Sequence, residues 1–153
     1  MYIKVDHPDS ETEKKILHLI RDEVAGKKQT KHTEVSIDDV LAARNEALQI
    51  HMSDEVEEYL VQLVGATRHA ERYNSSFKGY IAYGASPRAT LALDRCAKVH
   101  AWLKGRDFVS PEDIHAVVYE VLRHRIILSF EAQAEGYTTD DIIASLLKLV
   151  PLP

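Results

Sequence analysis

The chain has 153 residues, 45% of them hydrophobic, which is enough to bury the core of one domain. Its 24 acidic residues outnumber its 19 lysines and arginines, and the formal net charge of −5 excludes a global basic field for nucleic acid or anionic lipid. The single cysteine, Cys96, excludes a disulfide framework, and we expect it to be a small core residue in a reducing compartment. We find no signal peptide and no apolar run near the roughly 18 residues of a membrane span, so we expect a soluble, cytoplasmic protein.

The N-terminal segment predicts a short strand followed by a helix. Met1–Val5 is the predicted strand, and the helix begins at Ser10, with Glu13 at the spacing of a capping box. Apolar residues then recur at helical spacing and predict one buried stripe, consisting of Ile16, Leu17, Leu19, Ile20 and Val24. Gly26 ends this helix, and the basic segment 27–32 is predicted to be a solvated loop.

Two further helices follow the basic segment. Ser36 with Asp39 repeats the capping-box spacing and begins a helix that ends near Leu48. Ser53 begins a third helix, which is expected to end within residues 68–71. The predicted inner faces are Ile37, Val40, Leu41, Ala43, Ala47 and Leu48 in the second helix and Val56, Tyr59, Leu60, Leu63 and Val64 in the third.

Residues 72–85 mix turn formers with aromatic residues and are predicted to form an irregular loop. A helix over 87–103 follows. Ser86 suits its N-cap, with the hydroxyl accepting a backbone N–H, and Pro87 suits the first helical position. The helix is rich in alanine, which lets other helices approach closely, so we expect it to be central, and Gly105 ends it.

The C-terminal part predicts two more helices. Residues 110–113, Ser-Pro-Glu-Asp, combine an N-cap, a first-turn proline and an acid, and begin a helix that reaches about Arg123. Residues 126–128 fit either an extended or a helical segment. Thr138 with Asp141 begins a last amphipathic helix, which Pro151 and Pro153 close. The chain is therefore predicted to be an all-α bundle of about six helices.

Arg88 lies in the first turn of the predicted helix 87–103, where a cation is electrostatically unfavourable. The helix dipole makes this end partly positive, so a cation there typically costs about 0.3 to 1 kcal/mol. A phosphate would reverse the sign, because free N–H groups, the dipole and the guanidinium fork would all favour the same anion. The alternative is that Arg88 bends back to a carboxylate or points into water.

Other cationic and aromatic residues are weaker candidates. Arg68 stands in the C-terminal turn of the third helix, where a cation is favoured, and is a second candidate for the same anion. His124 and Arg125 follow a helix C-terminus and have the same structural explanation. Tyr80 and Tyr83 could pack on a nucleotide base, although we favour a role at the edge of the core.

Motifs for catalysis and metal binding are absent from the sequence. It contains no HExxH, no CxxC and no GxxxxGK[ST] phosphate loop, and its scattered histidines predict no metal site. The carboxylate pairs Asp38-Asp39 and Asp140-Asp141 each stand in a helix first turn, where acids favour the dipole, so we assign them structural roles. No cluster of arginines and lysines supports a helix-turn-helix DNA reader.

Several motifs, in order and at matching spacing, resemble the C-terminal part of MoxR-type AAA+ ATPases. The three main motifs are Gly84-Ala85-Ser86-Pro87-Arg88-Ala89, Gly105-Arg106 with Phe108-Val109-Ser110-Pro111-Glu112-Asp113-Ile114, and Val121-Leu122-Arg123-His124-Arg125-Ile126. Upstream, residues 63–68 are similar to that family's helix ending in Ala-Thr-Arg, and residues 4–8 to the segment that leaves its ATPase core. His7 departs from the family, which often has an aromatic residue there, and this affects packing more than nucleotide chemistry. The resemblance covers essentially the whole chain.

The resemblance implies a domain division and a nucleotide site. Residues 10–153 would be the helical lid, with its motifs within 73–150, and residues 1–9 would be the end of a core strand and its linker. Arg88 would be the sensor-2 residue that reaches the γ-phosphate of ATP, with Gly84, Ser86 and Pro87 forming the rest of the cofactor-binding loop. Movement of the lid relative to the core would report whether that phosphate is present.

By the same resemblance, the phosphate loop, the magnesium site, the core sensor and the arginine finger lie outside this sequence. We therefore expect that the parent protein hydrolyses ATP with Mg²⁺ held by its core, whereas this chain alone is inactive and holds no cofactor. The implied partners are the core domain, neighbouring subunits of a hexameric ring and client protein complexes that are remodelled in a chaperone-like way, with no nucleic acid. The competing hypothesis is a non-enzymatic helical interaction module in which Arg88 forms a structural ion pair.

Overall fold

The computed structural model describes residues 1–27 and 34–153, and the described part of the chain is predominantly α-helical. Its helices are α1 (Ser10–Val24), α2 (Ile37–Leu48), α3 (Asp54–Ala66), α4 (Pro87–Leu103), α5 (Pro111–Leu122), α6 (Phe130–Ala134) and α7 (Thr139–Leu149). Short 3-10 helices span Ala70–Arg72 and Ser75–Phe77, and the antiparallel strands β1 (Ile81–Tyr83) and β2 (Ile127–Leu128) form a two-stranded sheet. The prediction of an all-α fold is confirmed, with α6 added to the expected helices.

Helix α4 is central, as predicted. Four of its residues, Ala89, Leu93, Ala97 and Ala101, recur every fourth position and are fully buried. Because three of these are alanines, α2, α3 and α5 can all pack closely against α4. Helix α7 packs in turn against α3 and α5 and closes the core.

The two helices that flank residues 104–110 end and begin as predicted. Gly105 has a φ of +71°, and its N–H donates to the carbonyl of Trp102 at 2.8 Å. The N–H of Arg106 donates to the carbonyl of Ala101 at 3.0 Å, which completes a Schellman motif. Helix α5 then begins with a capping box between Ser110 and Asp113.

The predicted capping boxes of α2 and α7 are also present, but α1 begins differently. Its N-cap is Asp9, whose carboxylate accepts from the N–H of Thr12 at 2.8 Å, so the predicted box of Ser10 with Glu13 is wrong. The carboxylate one residue earlier takes the position that the Ser10 hydroxyl was expected to fill.

No strand forms at Met1–Val5, in contrast to the prediction. The N–H of Tyr2 donates to the carbonyl of Glu120 at 2.7 Å, and Glu120 belongs to helix α5. A strand requires a neighbouring strand, and a helix does not provide the alternating backbone groups of a ladder.

The apolar faces of α1 and α2 are exposed, although both were predicted to be buried. The stripe of α1 is between 47% and 85% exposed, and no residue of this helix is buried; α2 buries Ala47 alone. By contrast, all five predicted inner residues of α3 are buried. Helices α1 and α2 therefore have apolar faces that the described residues leave uncovered.

The segment 72–85 is more ordered than the predicted irregular loop. It contains a 3-10 helix and strand β1, whose residue Ile81 pairs with Leu128 of β2. This pairing also shows that residues 127–128 are extended, which the sequence left undecided. The predicted basic loop, apart from Lys27, lies outside the described residues.

Candidate functional site

Arg88 occupies the second position of α4, directly after Pro87, as predicted. Its side chain is exposed and has no hydrogen bond or ion pair with any residue in 1–27 or 34–153. The alternative in which Arg88 bends back to a carboxylate is therefore not observed among these residues. The guanidinium stands in solvent at the positive end of a 17-residue helix.

Ser86 is the N-cap residue of α4, but its hydroxyl accepts no N–H from the helix, which corrects the predicted cap. The turn is closed through the backbone instead, because the N–H of Ala89 donates to the carbonyl of Ser86 at 2.8 Å. The N–H of Arg88 has no acceptor in the described part of the chain. The start of α4 therefore presents a free backbone donor beside the Arg88 side chain.

Thr67 fixes the loop that precedes α4. It is fully buried, its hydroxyl donates to the carbonyl of Val64 at 2.7 Å, and the same oxygen accepts from the N–H of Ala85 at 2.9 Å. Helix α3 ends at Ala66, earlier than predicted. The hydrogen bond from Ala85 to Thr67 joins this end of α3 to the start of α4. Sequence reasoning missed the role of Thr67, and the resemblance of Ala-Thr-Arg was the only signal for it.

Gly84 lies directly against the backbone that follows α3. A Cβ at this position would stand 2.4 Å from the carbonyl oxygen of Thr67 and 2.8 Å from the Cα of Arg68. Glycine is therefore needed here for space. This close approach brings Arg68 and the Gly84–Arg88 loop to the same end of the molecule.

Arg68 follows the C-cap residue Thr67, and its N–H donates to the carbonyl of Gly65 at 2.9 Å, so it lies in the hydrogen-bonded turn that ends α3. Its side chain is exposed and forms no ion pair within the described ranges. Arg68 and Arg88, which have no carboxylate partner in the described part of the chain, thus flank the contact of Gly84 with Thr67.

A buried ion cluster fixes the other end of α4 to the start of α5. The fully buried carboxylate of Asp113 accepts from Arg106 through two nitrogens, at 2.8 and 2.5 Å, and from the N–H of Ser110 at 2.8 Å. His100 Nδ1 lies 2.6 Å from Asp113 Oδ1. Burial favours a raised pKa for Asp113, but the hydrogen bonds from Arg106, Ser110 and His100 outweigh it and hold this pKa well below its usual range.

Comparison with known proteins identifies the family of this fold. A family model described as an AAA lid domain matches residues 75–146. The chain is 33% identical over 152 residues to the chaperone MoxR1 of Mycobacterium tuberculosis, covering 99% of this chain and 39% of that protein. It is 44% identical over 72 residues to the protein MoxR of Methylorubrum extorquens, covering 46% of this chain and 21% of that protein.

A crystal structure of a putative ATPase from Cytophaga hutchinsonii has the same fold. The TM-score is 0.89 at 40% sequence identity, over 99% of this chain and 46% of that one. This chain belongs to the MoxR-type AAA+ ATPase family and carries its lid domain. It spans less than half the length of MoxR1 and of the Cytophaga protein.

Tyr80 and Tyr83, for which a position at the edge of the core was favoured over contact with a nucleotide base, lie in different environments. Tyr80 packs against the core, and its hydroxyl donates to Glu135, a bond that raises the pKa of Tyr80 to about 12. Tyr83 is 70% exposed, so the predicted position at the core edge is wrong for this residue. It directly precedes Gly84 on the surface that carries Arg88.

The carboxylate pairs of the lid have structural roles, as predicted. Asp39 and Asp141 belong to capping boxes, and Asp140 accepts from Arg123 Nε at 2.7 Å. In the part of the chain that the structure describes, no three metal-ligating side chains cluster, and no helix is long and apolar enough to cross a membrane. Cys96 is half-buried at the edge of the core, and burial raises the pKa of its thiol.

Proposed function

We propose that Arg88 is the sensor-2 residue of this lid and contacts the γ-phosphate of ATP held by the ATPase core of the whole protein. The observation that carries the proposal is that Arg88, at the N-terminus of α4, has no partner among residues 1–27 and 34–153, and that its own N–H has no acceptor there. An arginine in this position is stabilised when an anion joins it, and its fork matches the oxygens of a phosphate.

The rest of the loop supports the same role. Gly84, Ser86 and Pro87 form the surface on either side of Arg88, and Arg68 provides a second cation for the phosphate chain. Thr67 and Gly84 fix this loop to α3 through a buried hydrogen bond and a close backbone contact. Arg88 would therefore move with the body of the lid, so that lid rotation brings it to the phosphate or withdraws it.

The uncovered apolar face of α1 supports a lid that packs against a further domain. We infer that the whole protein is an ATP-hydrolysing motor of a hexameric ring in the cytoplasm, which remodels or assembles client complexes in a chaperone-like way. Magnesium and the attacking water would be positioned by its core, and the lid alone would be inactive. A single arginine cannot promote phosphoryl transfer without them.

Replacement of Arg88 in the full-length protein tests this proposal. We expect Arg88→Ala to reduce ATP turnover by on the order of 10²-fold, which is the usual effect of losing one donor to transition-state charge. Lys104→Ala is the matched control, because Lys104 is an exposed cation at the opposite end of the same helix. Unchanged turnover in Arg88→Ala, with helical content intact, would show that Arg88 is no sensor.

A further inference from the structure

Helix α4 borders two shallow apolar depressions along the part of the helix that follows Arg88, and Arg88 lines neither of them. The depression between α2 and α4 has a volume of about 180 Å³, and the one between α4 and α5 has a volume of about 320 Å³. Arg95 and Val99 line both, so the two depressions lie side by side. We call them together the α4 groove, lined by Arg44, Ala47, Leu48, Arg95, Cys96, Val99, His100, Leu103, Val117 and Met1.

The floor of the α4 groove is an uncovered apolar surface. Leu48, Val99 and Leu103 are 46%, 43% and 68% exposed. Arg95, Val99 and Leu103 follow one another at every fourth position and therefore share one face of α4. This row extends about 12 Å along the helix, which is the length of two helical turns of a partner.

The charged residues of the α4 groove are all cationic, on a chain whose net charge is −5. Arg44 and Arg95 are exposed, and neither forms an ion pair with a described residue. No carboxylate lines either depression. An apolar floor with unpaired arginines at its rim complements an apolar ligand that carries carboxylates.

We propose that the α4 groove binds an amphipathic helix of a partner protein, whose apolar residues pack on Val99 and Leu103 and whose carboxylates pair with Arg44 and Arg95. Helices that bind grooves in this way place apolar anchors at spacings of three and four residues. Arg95 lies about 10 Å along α4 from Arg88, seven residues later and on the same face of the helix, but Arg88 lines neither depression.

The rate at which Cys96 is alkylated reports whether the α4 groove is occupied, because Cys96 lines the groove and is the only cysteine of the chain. The probe is a synthetic helical peptide with leucines on one face and glutamates on its flanks, and its twin has lysines in place of the glutamates. We expect the glutamate peptide to slow the alkylation of Cys96 by iodoacetamide at least tenfold, and the lysine peptide to have little effect.

Charge reversal tests which residues carry the preference. The double variant Arg44→Glu with Arg95→Glu is expected to be protected by the lysine peptide instead of the glutamate peptide. The matched control is Arg72→Glu with Lys78→Glu, which changes the net charge equally at two exposed positions outside the groove and is expected to keep the preference of the native chain.

Equal protection by both peptides, or by neither, in the native chain would overturn the proposal whatever the variants do. It would also be overturned if light scattering shows a dimer in which Cys96 is already protected, because the occupant is then a second copy. Protection of Cys96 in the full-length protein without any peptide would overturn it in favour of the protein's own core. Arg88→Ala is expected to leave peptide protection unchanged, so the two proposals fail separately.

Discussion

At the scale of single residues, the backbone of Thr67 and Arg68 leaves no room for a side chain at Gly84. Gly84→Ala is expected to lower the free energy of unfolding by about 1 to 3 kcal/mol, because its Cβ would collide with the carbonyl of Thr67 and one of the two backbones must move. Urea denaturation measures this. Gly65→Ala is the control, since a Cβ there meets no atom within 4 Å and alanine favours helix α3.

An unfolding free energy for Gly84→Ala at or above that of the native chain would contradict the close approach of α3 to the Arg88 loop.

The sequence predicted Arg88 at the start of a helix because Ser-Pro signals are local. It did not predict the contact of Gly84 with Thr67 or the bond from Ala85 to Thr67, which joins residues 18 positions apart. The sequence also predicted that the Ser86 hydroxyl caps α4, whereas the N–H of Ala89 donates to the Ser86 carbonyl instead.

At the scale of elements, Asp113 holds the end of α4 to the start of α5. Asp113→Asn is expected to cost about 1 to 3 kcal/mol of unfolding free energy, because the buried carboxylate loses its charged hydrogen bonds, whereas Arg106 can still be hydrated. Asp107→Asn, at an exposed position of the same connection, is the control and should cost little. Thermal or urea unfolding of the two variants at neutral pH distinguishes them.

The ion cluster of Asp113 makes the free energy of unfolding depend on pH. Since the pKa of Asp113 is lower in the folded than in the unfolded chain, its contribution to stability is complete above about pH 4 and is lost as the pH falls below that value. Unfolding measured as a function of pH should therefore show a weaker acid dependence in Asp113→Asn. Parallel pH profiles for the variant and the native chain would contradict this assignment.

Helix starts could be predicted from sequence where capping is local, as in α2, α3, α5 and α7. The sheet could not, because β1 and β2 are short, lie far apart in the chain and stabilise each other only after folding. The burial of α1 and α2 was predicted wrongly from a correct helical period. An apolar stripe shows that a helix has a face to cover, but it does not show that the covering surface belongs to the same domain.

At the scale of the whole molecule, the lid is a helical body with a cationic end, two uncovered helix faces and a basic apolar groove. It spans 39% of the length of MoxR1, so the rest of such a protein could contact several of these surfaces at once. Helix α4 packs against α2, α3 and α5 in one core. In this account, Arg88 is one half of a phosphate site, and an ATPase core supplies the other half.

The most direct test of this claim compares the affinities of the full-length protein for a non-hydrolysable ATP analogue and for ADP. The native protein should prefer the triphosphate. Arg88→Ala should lose that preference by about tenfold or more while its affinity for ADP is unchanged, because a charged hydrogen bond to the γ-phosphate contributes about 1.5 to 3 kcal/mol. An Arg88→Ala variant that keeps the native ratio of the two affinities would contradict the γ-phosphate sensor.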